Sequence, residues 1–183
     1  MGESGKDAHA PEVSPGPSQA LGRGGTRERT GVQTMFRGHF EHAIDAKGRT
    51  SLPSRFRDVL AATGDLRLVV TPALFDPCLH VYPMRAWEEL EAKIAALPQF
   101  EPNVVAFRRK YVSAAVEAEL DKQGRILVPP SLREHAGLAK DVLWAGMGTT
   151  AELWSKERWK AAQAMSDSEL ASFKAAIAEQ FRL

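Results

Sequence analysis

The chain has 183 residues, 44% hydrophobic and 26% charged, with a formal net charge of +1; this is the composition of one or two small water-soluble domains, and near-neutrality confines any nucleic-acid surface to a local patch. A single cysteine, Cys78, excludes an internal disulfide and a cysteine-rich zinc site, and it reads as a buried thiol. No apolar run approaches the ~18 residues of a membrane span and no signal-type apolar segment opens the chain, so the expectation is a cytoplasmic protein with no membrane partner.

Residues 1–34 are dominated by Gly, Pro, Ser and charge. Such a segment buries too little to offset its ordering entropy, and it reads as a disordered extension. Its Arg23, Arg27 and Arg29 could brush a phosphate backbone; alternatively, translation begins at Met35. The globular pattern starts there, with MFRGHFEHAID. FEHAI at 40–44 has strand parity, and VEAEL at 116–120 alternates apolar and acidic residues more cleanly. DAKGR at 45–49 and DKQGR at 121–125 then form hairpin tips. Gly48 and Gly124 take the positive φ that costs other residues strain, and Asp45 and Asp121 accept backbone N–H bonds as turn organisers. RTSLP and RILVP are return strands, each ending at a proline that cannot donate to a ladder. Short helices follow. Ser131 is a candidate N-cap completed by Glu134 as a capping box, with Ser54 its weaker counterpart, and Gly64 and Gly137 are the stops. DLRLVVTPA and DVLWAGMG read as strands, as do CLHVYP and AELW. The helix AWEELEAKIAAL at 86–97 places Trp87, Leu90, Ile94 and Leu97 on one face, and KERWKAAQAM at 156–165 is its counterpart. Between the copies, beyond Pro98 and Pro102, VVAFRRKYVSA looks helical.

The chain is therefore written twice. A shift of 76 positions lays Asp45 on Asp121, Gly48 on Gly124, Arg49 on Arg125, Pro53 on Pro129 and Arg57 on Arg133. Glu41, Ile44, Leu52 and Phe56 fall on Glu117, Leu120, Val128 and Leu132, so the flanks keep phase with the motif. Each copy has a core of about 45 residues, near the limit for independent folding. The expectation is an α+β fold with a mainly β core, in which the copies bury one face against the other as a pseudo-two-fold module and present both tips together.

The segments MFRGHFEHAIDAKGRTSLPSRFRD, HVYPMRAW, DKQGRILVPPSLREHAGL and AELWSKERW resemble the MraZ family over about residues 35–165. That resemblance implies two SpoVT-AbrB repeats, at 39–86 and 115–158, joined by a helical linker at 87–114 and followed by a C-terminal helical segment at 159–183. It implies a tandem AbrB-like swapped-hairpin β-barrel with flanking helices. It further implies a nucleoid-associated DNA-binding transcriptional regulator of the division and cell-wall gene cluster that forms a ring-like homo-oligomer. Such a ring would offer several modules to short repeats in double-stranded promoter DNA, its own promoter included, and occupancy there would exclude polymerase, so the expected sign is repression.

Arg49 and Arg125 have the parity opposite to the inward Leu52 and Val128, so they point outward. An arginine there can present its fork to O6 and N7 of guanine in a major groove, while Arg37, Lys47, Arg55 and Arg57 hold phosphates. The richer basic flank LPSRFRD favours the first tip as the reader. The competing reading is that Asp45 and Arg49 merely pair across the turn, a contact of ~0–1 kcal/mol. The repeats would then build a structural assembly hub without base readout. His9, His39, His42, His80 and His135 show no metal-ligand spacing. His42 reads as a core histidine, Arg108 to Lys110 as a solvated helix face or a phosphate patch, and Trp87, Trp154 and Trp159 as packing. No Gly-rich phosphate loop, nucleophile elbow or paired carboxylates are visible. No catalysis, cofactor, metal or small-molecule substrate is expected.

Overall fold

The computed structural model describes residues 35–182, so the expectations for 1–34 lie outside the described residues. β1 (Phe36–Ala43) keeps one parity inward: Phe36 is buried and Phe40 and His42 half-buried, while Arg37, His39 and Glu41 are exposed. After the first tip come β2 (Arg49–Ser51), α1 (Ser54–Thr63), β3 (Arg67–Pro72), β4 (Leu79–Pro83) and α2 (Met84–Ala95). α3 (Pro102–Phe107) runs into a π-helical turn over Arg108–Val112. The second copy repeats the order as β5 (Val116–Glu119), β6 (Arg125–Leu127), α4 (Pro130–Ala136), β7 (Asp141–Gly148), β8 (Ala151–Ser155) and α5 (Lys156–Gln163). α6 (Asp167–Phe181) follows.

β1 cannot satisfy its backbone within its own hairpin. β2 is short and stops at Leu52-Pro53, and only Ile44 bridges back to it, at Thr50. β1 instead pairs along its length with β7, from Phe36 opposite Gly148 to Ala43 opposite Asp141. β5 makes the reciprocal move onto β3, from Arg67 opposite Glu119 to Val70 opposite Val116. The result is an antiparallel sheet in the order β1-β7-β8-β4-β3-β5, with β2 and β6 paired separately. Exchanging the copies leaves that order unchanged. The copies meet in its middle, where β4 pairs with β8.

The core is shared as the short length of each copy requires. One buried cluster takes Ile44, Leu52, Phe56, Leu60 and Leu68 from the first copy and Ile126, Val128, Leu132, Trp144 and Leu153 from the second. Phe56 sits among edge-on rings, with centroids 4.9 Å from Phe36, 5.3 Å from Phe40 and 6.4 Å from Trp144. A second cluster joins Val69, Met84, Trp87 and Tyr111. The π-helical turn makes it possible: Ser113 N–H donates to Arg108 O at 2.9 Å, and the Tyr111 carbonyl accepts from Thr71 Oγ1 at 2.6 Å.

The helix starts differ from the sequence reading. Neither Ser54 nor Ser131 is an N-cap: Pro53 and Pro129 hold those positions, at φ −51° and −57°. Prolines preset the entry to the first turn, so Ser131 lies inside α4 and forms no capping box with Glu134. The capping box occurs at Ser166 and Glu169, at the start of α6. Gly64 and Gly137 do terminate α1 and α4 in the left-handed region, at φ +75° and +60°. α2 starts at Met84, earlier than the expected 86, and ends at Ala95, which leaves Leu97 outside it and exposed.

Candidate nucleic-acid interface

Each tip is a tight turn built around its aspartate. Gly48 N–H donates to Asp45 O and Asp45 N–H to Arg49 O, both at 2.8 Å. Asp45 Oδ1 also accepts from the N–H groups of Lys47 and Arg49, at 3.0 and 2.9 Å. The second tip repeats the pattern, with Asp121 Oδ1 accepting from Gln123 N–H at 2.8 Å and Arg125 N–H at 3.0 Å. Gly48 and Gly124 stand at φ +83° and +71°.

The tips are held by the opposite copy. Val128 N–H donates to Gly48 O at 2.8 Å, and Leu52 N–H to Gly124 O at 2.9 Å. Beneath them the helices also exchange. A Cβ at Gly48 would lie 2.9 Å from Arg133 Nε on α4, and one at Gly124 would lie 2.8 Å from Arg57 Cδ on α1. Both glycines are thus required twice, once for backbone conformation and once for the close approach of an arginine.

Arg49 donates from Nε to Asp45 Oδ2 at 2.9 Å, with Nη2 at 2.7 Å from the same oxygen. Arg125 grips Asp121 Oδ2 with the same pair of distances, 2.9 and 2.7 Å. Arg125 Nη1 also lies 3.9 Å from Asp45 Oδ2, which sets the two tips side by side. Asp45 is held at about 2, chiefly by the Arg49 backbone N–H and then by its guanidinium. Asp121 is likewise held at about 2, chiefly by the Arg125 guanidinium and then by its backbone N–H. The arginine side chains remain 33% and 24% exposed. A guanidinium is a planar fork with five N–H groups. Here the carboxylate occupies the Nε flank, and among the described residues Nη1 of neither arginine donates a hydrogen bond.

The remaining candidates divide. Lys47 is exposed at the first tip and Arg55 is exposed in the first turn of α1. Arg57 belongs under the second tip. Arg37 stands about 25 Å away along β1 by strand rise, its Nη2 against Met35 Sδ at 3.6 Å. Two residues of this surface escaped the sequence reading. Arg133 underlies the first tip, and Lys122 is the exposed lysine of the second. The repeat register signalled Arg133 as the counterpart of Arg57, but nothing in it says that the two would trade places. His42 is half-buried, and burial together with the Arg57 charge pushes its pKa below the ordinary imidazole range. On the π-helical turn, Arg109 and Lys110 are exposed and Arg108 half-buried. Trp87 is buried against Tyr111, and Trp154 meets Trp159 edge-on at 5.5 Å.

Comparison with known proteins bears on what such a surface belongs to. The family model described as "MraZ protein, putative antitoxin-like" matches residues 35–110 and 112–182, one tip in each segment. The chain belongs to the MraZ family. Among curated MraZ proteins, one named "Transcriptional regulator MraZ" from Thermoanaerobacter pseudethanolicus is 49% identical over 126 residues, 69% of this chain and 85% of that one. The MraZ of the same name from Heliobacterium modesticaldum is 50% identical over 125 residues, 68% of this chain and 84% of its own. That of Desulforamulus reducens is 47% identical over 134 residues, 73% of this chain and 91% of its own.

Proposed function

We propose that the protein is a transcriptional regulator that binds double-stranded promoter DNA through its paired tips, with Arg49 and Arg125 reading guanine. The observation that carries this is the way each aspartate grips its arginine. The carboxylate takes Nε and the near side of Nη2, which leaves Nη1 and the outer N–H of Nη2 as the end of the fork without a hydrogen bond among the described residues. That end carries the two N–H groups whose spacing matches O6 and N7 of guanine. Bracing and reading are therefore not rivals, because the same ion pair fixes the rotamer that a bidentate contact needs and lowers its ordering cost. Lys47, Lys122 and Arg55 supply phosphate contacts that set register, and Arg57 and Arg133 support the tips from below. The richer basic flank of the first copy makes Arg49 the principal reader. Arg37, about 25 Å along β1 from the first tip by strand rise, supplies a phosphate contact farther along the duplex.

On this reading the exchanged strands are those of an AbrB-like swapped-hairpin barrel, with SpoVT-AbrB repeats at 39–86 and 115–158. The protein works as a ring-like homo-oligomer on promoter repeats, where linking weak sites raises avidity by about 10²–10⁴. Phe75 and Phe100, each 95% exposed, support self-association. Occupancy of a promoter excludes polymerase and represses it, the targets being the division and cell-wall gene cluster with the protein's own promoter. The location is cytoplasmic, on the nucleoid. Among the described residues no helix is long and apolar enough to cross a membrane. We assign no catalytic role.

The test is a gel shift with the DNA upstream of the gene. Arg49→Ala is expected to weaken binding by about 5- to 150-fold, corresponding to the ~1–3 kcal/mol of one bidentate pair, while light scattering reports an unchanged assembly. Undiminished binding by Arg49→Ala and Arg125→Ala together leaves only the assembly hub without base readout.

A further inference from the structure

Far from the tips in function, the seam between the copies holds a second group of polar side chains. Cys78 immediately precedes β4 and His80 lies within it, so the two alternate onto one face. The β4·β8 register sets His80 directly opposite Glu152. The thiol sulfur, a ring nitrogen and a carboxylate oxygen of these residues all lie within 4.8 Å of one another. Cys78 is fully buried and the other two are partly buried.

The outward atoms of the two partners are already held. Trp154 Nε1 donates to Glu152 Oε2 at 2.8 Å. His80 Nδ1 lies 2.6 Å from Tyr111 Oη, which is itself 2.6 Å from Tyr82 Oη. With Nδ1 as the donor to Tyr111, Nε2 turns a lone pair inward. It faces Glu152 Oε1 at 3.8 Å, too long for a hydrogen bond. Fixing a histidine by its other nitrogen and a carboxylate by its other oxygen is how outer contacts orient metal ligands.

We propose that Cys78 Sγ, His80 Nε2 and Glu152 Oε1 form a divalent metal site, with zinc the matching ion and water the fourth ligand. Thiolate and imidazole select zinc over magnesium and calcium, which take oxygen ligands. Zinc accepts three protein ligands and a water in a tetrahedron. Bonds of ~2.0–2.3 Å bring ligand atoms to within ~4 Å of each other, so the cluster contracts by about 1 Å on binding. The Cys78 S–H bond is replaced by S–Zn and its proton leaves to solvent. Thiolate and carboxylate then balance the ion's two charges, which suits a site shielded from water. Because Cys78 and His80 come from one copy and Glu152 from the other, the ion pins the copies together where the sheet crosses between them. Ligand spacing along the chain could not show this, since Cys78-x-His80 supplies only part of the set.

The test uses the full chain, stripped by a chelator and titrated anaerobically with cobalt(II), then with zinc. Expected are one cobalt per chain, a near-ultraviolet thiolate-to-cobalt charge-transfer band, intense four-coordinate d–d bands, and their loss as zinc displaces cobalt. Glu152→Gln, which keeps the size and the Trp154 contact, is expected to weaken zinc at least tenfold. Zinc raises the thermal midpoint of the unaltered protein and leaves that of Cys78→Ser where it was. The unaltered protein decides the matter even if a variant fails to fold: cobalt bound without a thiolate band, or no cobalt bound, overturns the site. Equal zinc affinity in a folded Glu152→Gln removes Glu152 from it.

Discussion

At the scale of single residues, the tips turn on how an aspartate and an arginine divide their work. Asp45 and Asp121 each spend one carboxylate oxygen on backbone N–H groups and the other on the guanidinium. That division makes the tip sensitive to acid in a defined direction. Asp121 lies at about 2 in the folded chain, below its ordinary 3.8. A depressed carboxyl contributes stability that is fully present above the unfolded value and is lost as pH falls through the folded one. Urea unfolding should therefore show Asp121→Asn less stable than the unaltered protein by a constant margin from pH 7 down to about 5. Between about pH 4 and pH 2 the margin should close. A gap that persists unchanged at pH 2 means that Asp121 acts through something other than its charge. The outward parity of Arg49 and Arg125 and the local role of the aspartates were legible from five-residue motifs, because turn chemistry is local. The placing of Arg57 under Gly124 and of Arg133 under Gly48 was not, because it depends on a neighbour from the opposite copy.

At the scale of elements, hydrophobic period named the faces and left the neighbours open. Alternation in VEAEL marks a strand with one buried side, but it carries no information on whether β6 or β3 receives its hydrogen bonds. The strand pairing is set instead by length: β2 and β6 are too short to satisfy β1 and β5. Helix starts misled for a different reason. Ser131 and Glu134 have capping-box spacing, but the preceding prolines begin α4 first, and a preset φ outweighs one side-chain hydrogen bond. Glycine stops were read correctly, yet not all glycines in the left-handed region are equivalent. Gly64 has open space where a Cβ would go, whereas at Gly124 the Arg57 side chain occupies that space. Gly64→Ala is expected to cost only the ~1–2 kcal/mol of a left-handed L-residue. Gly124→Ala should cost more, because Arg57 must also move. Chemical denaturation of the two variants measures the difference, and equal losses would show that Arg57 yields freely.

At the scale of the molecule, the duplication is a statement about folding. Every long strand of one copy borrows an edge from the other: β1 lies on β7, β5 on β3, and β4 on β8. The buried cluster is likewise composed of both. A fragment of residues 35–114 alone would keep Tyr111 in the second buried cluster but leave β1 without its ladder and Phe56 without Trp144, exposing the apolar face of a unit already near the lower size limit. It is expected to be unfolded as a monomer by far-ultraviolet circular dichroism, as is a fragment of residues 115–182. Mixed in equal amounts, the two should recover the strand signal and a single cooperative thermal transition, because the seam lies between copies and, with the helical linker kept on the first fragment, the peptide bond that joins them supplies only proximity. A monomeric 35–114 fragment that melts cooperatively would mean that each copy holds a complete core of its own, and the strand exchange would then be incidental to stability.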